Sequence, residues 1–232
     1  MKFTKSLIKG KLVKRYKRFF TDVKVNNEVV VAHCPNTGSM MGLLDEGNQV
    51  FISKNDNPKR KLKYTLEIIK VKKNLIGVNT HFANKIVYHG LSKNLIKEIS
   101  NIDTIKPEVF FNKETRFDFL IKKKNQKAFV EVKNVTLIRK EMIAEFPDSV
   151  TTRGSKHLRT LIEATKKGYK TYLLFLIQIE GAQSFKIAKD IDKEYYENYL
   201  LAKKAGVIFL AYRCKISSKE IKIEKKIKII ND

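Results

Sequence analysis

The sequence predicts an α/β protein in which a small β-barrel precedes an α/β sandwich with a mixed central sheet. Three observations carry that prediction. Over residues 7–71, short alternating apolar and polar stretches are separated by turns rich in Asn and Gly, without a long helical period. From residue 155 onward, amphipathic helical stretches alternate with apolar runs of strand length. Between these regions, residues 116–121 and 128–133 read as two strands joined by a lysine-rich turn.

In the first region, residues 11–20 and 22–32 alternate, with Asn26-Asn27 as a hairpin turn. Gly38, Gly42 and Gly47 punctuate a loop before a strand over 49–53, and residues 55–60 turn before alternation returns over 63–71. That many short strands fit a five-stranded barrel of the OB-fold type, an architecture that grips nucleic acid with a basic groove and stacks bases on aromatic faces. Candidate contacts are Arg15, Tyr16, Lys17 and Arg18, with Arg60 and Lys61 on a second loop. Tyr16 and Phe19 fit the core of the first strand equally well. The Pro35-Asn36-Thr37-Gly38 stretch is turn chemistry whose amides could cup an anion, without the Gly-rich opening of a phosphate loop.

Residues 79–101 change character. Phe82, Ile86, Leu91, Leu95, Ile96 and Ile99 recur near helical spacing, interrupted at Gly90, and Ser92 is a good N-cap for a second piece. Residues 102–111 are extended and carry Pro107 and Glu108. After the hairpin, residues 134–138 are apolar and Pro147 breaks the chain. Ser155 then opens a helix with Leu158, Leu161, Ile162 and Thr165 on one face, stopped by Gly168. Lys156 and His157 fall at its start, where phosphate is welcome, although His157 could equally cap or pack.

Residues 172–179 form a buried strand containing Gln178, and 190–205 a helix with Tyr195, Tyr199 and Ala202 inward. Residues 207–214 are the next strand, and the tail over 215–232 alternates Ile with Lys like an edge strand. The expected division is a barrel over 1–80, a helical connector over 81–101 and an α/β unit over 102–232.

At 232 residues and 43% hydrophobic, the chain can bury a sizeable core and is no disordered basic tail. Its formal net charge of +24 makes nucleic acid the first partner to consider, because neutralised phosphates release counterions. The 40 Lys against 8 Arg, amid abundant Ile and Asn, also carry the imprint of AT-rich coding. Residues 1–80 hold 17 basic and 6 acidic side chains against 31 and 18 in the longer remainder, so the first part is the denser cation. Cys34 and Cys214 lie far apart, as in a reducing cytosol, and the four histidines lack zinc-site spacing. His33 and Cys34 read as structural. No apolar run reaches bilayer length and no signal-like start is present, so a cytoplasmic location without membrane contact is expected. The oligomeric state stays open.

The hairpin carries the chemistry. If it turns symmetrically about Lys124 and Asn125, Asp118 faces Glu131, and Lys133 shares the face of Glu131. Like charges directly opposed destabilise a strand pair, and a divalent cation such as Mg²⁺ or Mn²⁺ offsets that repulsion by bridging the carboxylates. The nearby amine would then steady an attacking hydroxide or the charge developing on a phosphate. The competing reading is a solvated strand face with a cross-strand ion pair, and a register slip of one residue would separate the acids.

These residues also carry a resemblance. Arg116-x-Asp118-Phe119-Leu120, Glu131-Val132-Lys133-Asn134-Val135-Thr136-Leu137, Phe146-Pro147-Asp148-Ser149-Val150-Thr151, Arg153-Gly154 and Lys156-His157-Leu158-Arg159 resemble the sugar fermentation stimulation protein A family. In the first half, Arg15-Tyr16-Lys17-Arg18-Phe19, His33-Cys34-Pro35-Asn36-Thr37-Gly38-Ser39-Met40 and Asn79-Thr80 match as well. The likeness runs nearly end to end. It implies an OB-fold-like barrel followed by a restriction-endonuclease-like unit of the PD-(D/E)xK superfamily. It also implies metal held by Asp118 and Glu131, with Lys133 as the catalytic lysine and an earlier acid assisting, Glu108 ahead of Glu114. In that superfamily a Gln near position 178 can touch substrate; an ordinary core amide is the other reading. The implied partner is DNA in preference to RNA. Three functions remain open: a Mg²⁺- or Mn²⁺-dependent nuclease, a non-catalytic DNA-binding regulator of sugar metabolism genes, and an RNA-associated basic protein.

Overall fold

The computed structural model describes residues 1–230. Five strands close the first barrel: β1 (Ile8–Tyr16), β2 (Phe20–Val25), β3 (Glu28–His33), β4 (Gln49–Lys54) and β5 (Tyr64–Val71). They run in the order β3-β2-β1-β4-β5, and β3 closes the ring by pairing parallel to β5 through Ala32 with Tyr64 and His33 with Thr65. Alternation decides what faces inward: Leu12, Val23, Val50, Ile52 and Leu66 are fully buried while their polar neighbours are outside. Asn26, at a φ of 54°, makes the predicted hairpin turn. The sequence pattern carries the first strand to Phe20, but the chain turns at residues 17–19, with Lys17 and Arg18 at φ 45° and 62°. Both side chains are therefore exposed at a hairpin tip.

β6 (Asn74–Gly77) adds to β5 and runs into the second half of the molecule. The Gly77 N–H donates to the Gln178 carbonyl at 3.0 Å. A Cβ at Gly77 would meet the Gln178 Oε1 at 2.5 Å, so a larger residue there would have to displace that buried amide. Gln178 is fully buried; its Nε2 donates to Asn134 Oδ1 at 2.6 Å, while its Oε1 is buried without a hydrogen-bond partner, so the amide is only half satisfied.

The helix α1 (Ala83–Ser92) passes through Gly90 without a break, and residues 93–101 form no second helix. Ser92 does not cap a following piece; its Oγ donates back to the His89 carbonyl at 3.0 Å. The main sheet is built from β7 (Thr104–Phe110), β8 (Arg116–Lys123) and β9 (Gln126–Val135), followed in order by β12 (Lys170–Ile177), β14 (Ile208–Ile216) and β15 (Ile221–Lys226). β9, β12 and β14 are parallel and the remaining pairs antiparallel, which makes the sheet mixed. β7 and β15 are its edges, with Pro107 placed where a missing N–H costs least. The expected tail strand is thus β15; residues 231 and 232 of that tail lie outside the described residues. The helix α2 (Thr152–Lys166) packs on β12 and β9 and against α3 (Lys193–Lys204). Its true start is Thr152, capped by Thr151 Oγ1 accepting from the Gly154 N–H at 3.0 Å, three residues before the expected Ser155. One apolar cluster runs from the barrel interior to the α2 side of the main sheet, and another fills the α1 side.

A second sheet leaves no mark in the sequence pattern, because its strands are too short to show a period. It comprises β10 (Leu137–Lys140), β11 (Ile143–Phe146), β13 (Ser184–Ile187) and β16 (Lys228–Ile229). Arg139 on β10 grips Glu145 with two hydrogen bonds of 2.7 and 2.9 Å, and Glu145 is 1% exposed. Replacing Arg139 with Met should cost about 3 kcal/mol, since it leaves a buried carboxylate short of its main partner. Urea unfolding midpoints measure it. Among the described residues, no helix is long and apolar enough to cross a membrane, and both cysteines are buried free thiols.

Candidate active site

The β8–β9 hairpin turns about Lys124 and Asn125, pairing Lys123 with Gln126 and Phe119 with Val130. Continuing that register sets Asp118 opposite Glu131, as the sequence predicts. There the ladder gives way to side-chain chemistry: Asp118 Oδ2 accepts from the Val132 N–H at 2.7 Å. On the other side, the pairs Pro107–Phe119 and Val109–Phe117 bracket Glu108 against Asp118. Three acids thus occupy one row across β7, β8 and β9.

Glu131 is the buried centre, 3% exposed. Its Oε1 accepts from Lys133 Nζ at 2.7 Å and lies against His157 Nδ1. Its Oε2 is buried without a hydrogen-bond partner. Burial pushes this carboxyl upward, but the Lys133 charge and the His157 contact outweigh it and hold the group below its usual range. Arg153 Nε donates to His157 Nε2 at 3.4 Å, which leaves Nδ1 to carry the proton toward Glu131. Lys156, in contrast, is exposed and donates to Glu114 Oε2 at 2.7 Å at the rim.

Asp118 has the opposite electrostatics. Burial, and then the neighbouring Glu131 charge, raise it to about 6, against the stabilising Val132 amide, Asn84 and Lys133. Asn84, in the first turn of α1, donates to Asp118 Oδ1 at 2.8 Å and to Glu108 Oε1 at 3.4 Å. No local pattern marks Asn84, because its contact spans 34 residues and depends on how α1 packs. Glu108 adopts a φ of 55° and its Oε2 pairs with Arg116 Nε at 2.8 Å. Among the described residues, no three His, Cys, Asp or Glu side chains form a ready-made metal cage. Two features nonetheless fit a cation beside Asp118 and Glu131: the partnerless buried Oε2, and an Asp118 carboxyl raised first by burial and then by the Glu131 charge.

These groups line a cavity of about 960 Å³ together with Thr37, Thr80, Phe110, Asn134 and Arg153. Thr80 fixes the barrel loop above it by donating from Oγ1 to the Pro35 carbonyl at 2.7 Å. Arg15 holds the same loop, Nη2 donating to the Asn36 carbonyl at 2.7 Å and Nη1 to the Gly38 carbonyl at 3.1 Å, while its Nε donates to the Arg18 carbonyl at the tip of the β1–β2 hairpin at 3.0 Å. Asp148 Oδ2 receives the Met40 N–H at 3.1 Å, tying the loop to the second half. Neither Arg15, Tyr16, Lys17, Arg18, Arg60 nor Lys61 lines the cavity. Tyr16 stacks on Phe20 at 5.5 Å, Arg60 donates to Thr65 Oγ1 at 2.8 Å, and Lys61 is exposed. Arg15→Lys should destabilise the protein by about 2 kcal/mol, because an ammonium cannot reproduce the planar fork spread over several carbonyls. Thermal unfolding reads that loss; an unchanged midpoint would show the clamp to be dispensable.

Fold and site together define a protein in which an OB-like barrel precedes a restriction-endonuclease-like mixed sheet carrying two carboxylates and a lysine. The family model described as SfsA N-terminal OB domain matches residues 13–78, and the model described as Sugar fermentation stimulation protein RE domain matches residues 81–220. A sugar fermentation stimulation protein homolog of Pelagibacter ubique is 80% identical over 231 residues, covering 100% of both chains. One of Pseudoalteromonas atlantica is 47% identical, covering 99% of this chain and 100% of its own. The chain belongs to the sugar fermentation stimulation protein family. The same fold is seen in the solved structure of Pyrococcus furiosus SfsA in complex with Ca²⁺, with a TM-score of 0.89 at 23% identity, covering 100% of this chain and 98% of that one.

Proposed function

We propose that this protein binds nucleic acid, with DNA preferred to RNA, and hydrolyses phosphodiester bonds with Mg²⁺ or Mn²⁺. The observation that carries the reading is the convergence of Asp118, Glu131 and Lys133 on one cavity, with a buried carboxylate oxygen left without a partner. The Ca²⁺ bound by the Pyrococcus furiosus relative supports a divalent cation in this fold. Asp118 and Glu131 would hold the ion; Glu108, engaged by Arg116, is the third candidate. Bound there, a divalent cation supplies Lewis acidity toward a phosphate oxygen and acidifies water.

The protein's own groups do the rest. His157 fixes Oε1 of Glu131, so that Oε2 is the oxygen available to a cation. Asn84 and the Val132 amide hold Asp118 in one rotamer. Lys133 Nζ, only partly exposed and aimed into the cavity, donates to the attacking oxygen or to the phosphate oxygens as negative charge develops. Arg153 and Lys156 stand on the cavity wall, where they meet flanking phosphates. The exposed barrel cations Lys17, Arg18 and Lys61, which do not line the cavity, would lengthen the contact with the strand. We further assign residues 1–80 as the binding unit, 81–101 as the connector and 102–232 as the cutting unit.

A second reading, a DNA-binding regulator that keeps the nuclease fold as a scaffold, is favoured by the lack of a third converging ligand among the described residues. Incubating the protein with labelled single- and double-stranded DNA and RNA, with Mn²⁺ or with EDTA, separates the two. Cleavage only with the metal is expected; salt-sensitive retention of intact DNA in both conditions would favour the regulator.

A further inference from the structure

Phe110 is 65% exposed, more than any other large aromatic among the described residues, and it lies on the wall of the cavity that holds Asp118, Glu131 and Lys133. Its neighbour Phe111 shows what an ordinary phenylalanine does here, packing edge-on against Phe129 and Tyr169. Phe110 instead ends the edge strand β7 and pairs across with Arg116. The Arg116 guanidinium carbon stands 5.6 Å from the ring centroid and is itself held by Glu108 at 2.8 Å. A cation braced on one side of an aromatic ring, with the rest of the ring open to a polar cavity, is a stacking platform.

We infer that Phe110 and Arg116 form a nucleobase-stacking platform beside the cleavage centre, so that the substrate is a strand with an unpaired base next to the bond that is cut. The inference rests on the nuclease reading and deepens it. Arg116 lies two residues from Asp118 along β8, about 7 Å at strand spacing. That distance matches the step from a phosphate seated at the two acids to the base beside it. Arg153 and Lys133 on the same cavity are available to the backbone, whereas the phenyl ring offers nothing to a phosphate. Every base has a π face, so the platform selects for absence of pairing and not for sequence. A base held in a continuous duplex is already stacked and gains nothing from it.

The test measures binding in EDTA, which removes cleavage from the readout. Fluorescent oligothymidylate and a duplex of mixed sequence are titrated with wild type, Phe110→Ala and Phe110→Trp, and the quenching of a 2-aminopurine-containing single strand is followed alongside. Phe110→Ala should weaken single-strand binding about tenfold and abolish the quenching, Phe110→Trp should preserve both, and duplex affinity should not change. Wild-type affinity in Phe110→Ala, or equal losses for duplex and single strand, would overturn the inference while leaving the nuclease reading intact. A wild-type protein that binds no nucleic acid would overturn both. If Phe110→Ala instead abolishes self-association seen by sedimentation and leaves single-strand affinity unchanged, the ring serves a second copy of this chain and the inference fails.

Discussion

Replacing Lys133 with Ala is expected to lower metal-dependent phosphodiester hydrolysis by about 10²- to 10³-fold, the scale for losing one preorganised donor to developing charge. Nucleic-acid affinity should change little, because the exposed cations of the barrel and of α2 remain. Lys133→Arg should not rescue the rate: Nζ is a point donor set 2.7 Å from Glu131, and a planar fork cannot occupy that position without displacing His157. The variant also deprives Glu131 Oε1 of a charged partner, so a modest fall in stability should accompany the kinetic loss. Single-turnover cleavage under saturating Mn²⁺ measures the chemical step free of binding. Undiminished cleavage by Lys133→Ala would remove this amine from the mechanism.

The second large effect concerns Asp118. Its carboxyl titrates near 6 in the folded chain against 3.8 for an unperturbed aspartate, because burial and Glu131 both disfavour the charge. The folded state therefore holds this proton more tightly than the unfolded state does. Asp118 contributes most stability below the unfolded value, and that contribution is lost as the pH rises from about 4 to about 6. Partial solvent access reduces the effect to the order of 2 kcal/mol. Without added metal, the stability of Asp118→Asn relative to wild type should rise by that amount between about pH 4 and about pH 8, on top of a constant loss of one accepted hydrogen bond. Mg²⁺ or Mn²⁺ should stabilise wild type at the higher pH and leave the variant unmoved, since a ligand that binds only the native state adds to its stability. Urea unfolding across this range, with and without the ion, measures both effects. A stability difference between Asp118→Asn and wild type that does not grow from about pH 4 to about pH 8, or a variant that responds equally to metal, would contradict this assignment.

The hairpin was readable because its signals are local. Alternation over residues 116–121 and 128–133 and a polar centre at Lys124 and Asn125 fix a register that the strand pairs reproduce. The barrel was readable for the same reason, strand by strand, except where Lys17 and Arg18 turn the chain earlier than its pattern implies. What the sequence did not disclose is set by distant contacts. Asn84 meets Asp118 only after α1 packs over the sheet edge, and His157 meets Glu131 only because α2 starts at Thr152, which carries position 157 past the first turn and down into the cavity. Arg15 shows the converse difficulty. In sequence it belongs to a basic and aromatic cluster, but its guanidinium is occupied by loop carbonyls, and no spacing rule distinguishes a cation that grips its own backbone from one offered to a ligand. The small sheet of β10, β11, β13 and β16 escaped because strands of two to four residues leave no period to detect.

The most direct measurement is the anomalous difference map of a crystal soaked in Mn²⁺ at a pH above about 7, where Asp118 is ionised. A peak is expected about 2.1 Å from one oxygen of Asp118 and from Glu131 Oε2, with Lys133 Nζ still at hand. An empty map there, with both side chains in the positions described above, would show that the two acids do not form a metal site and would reduce the second half of the chain to a scaffold.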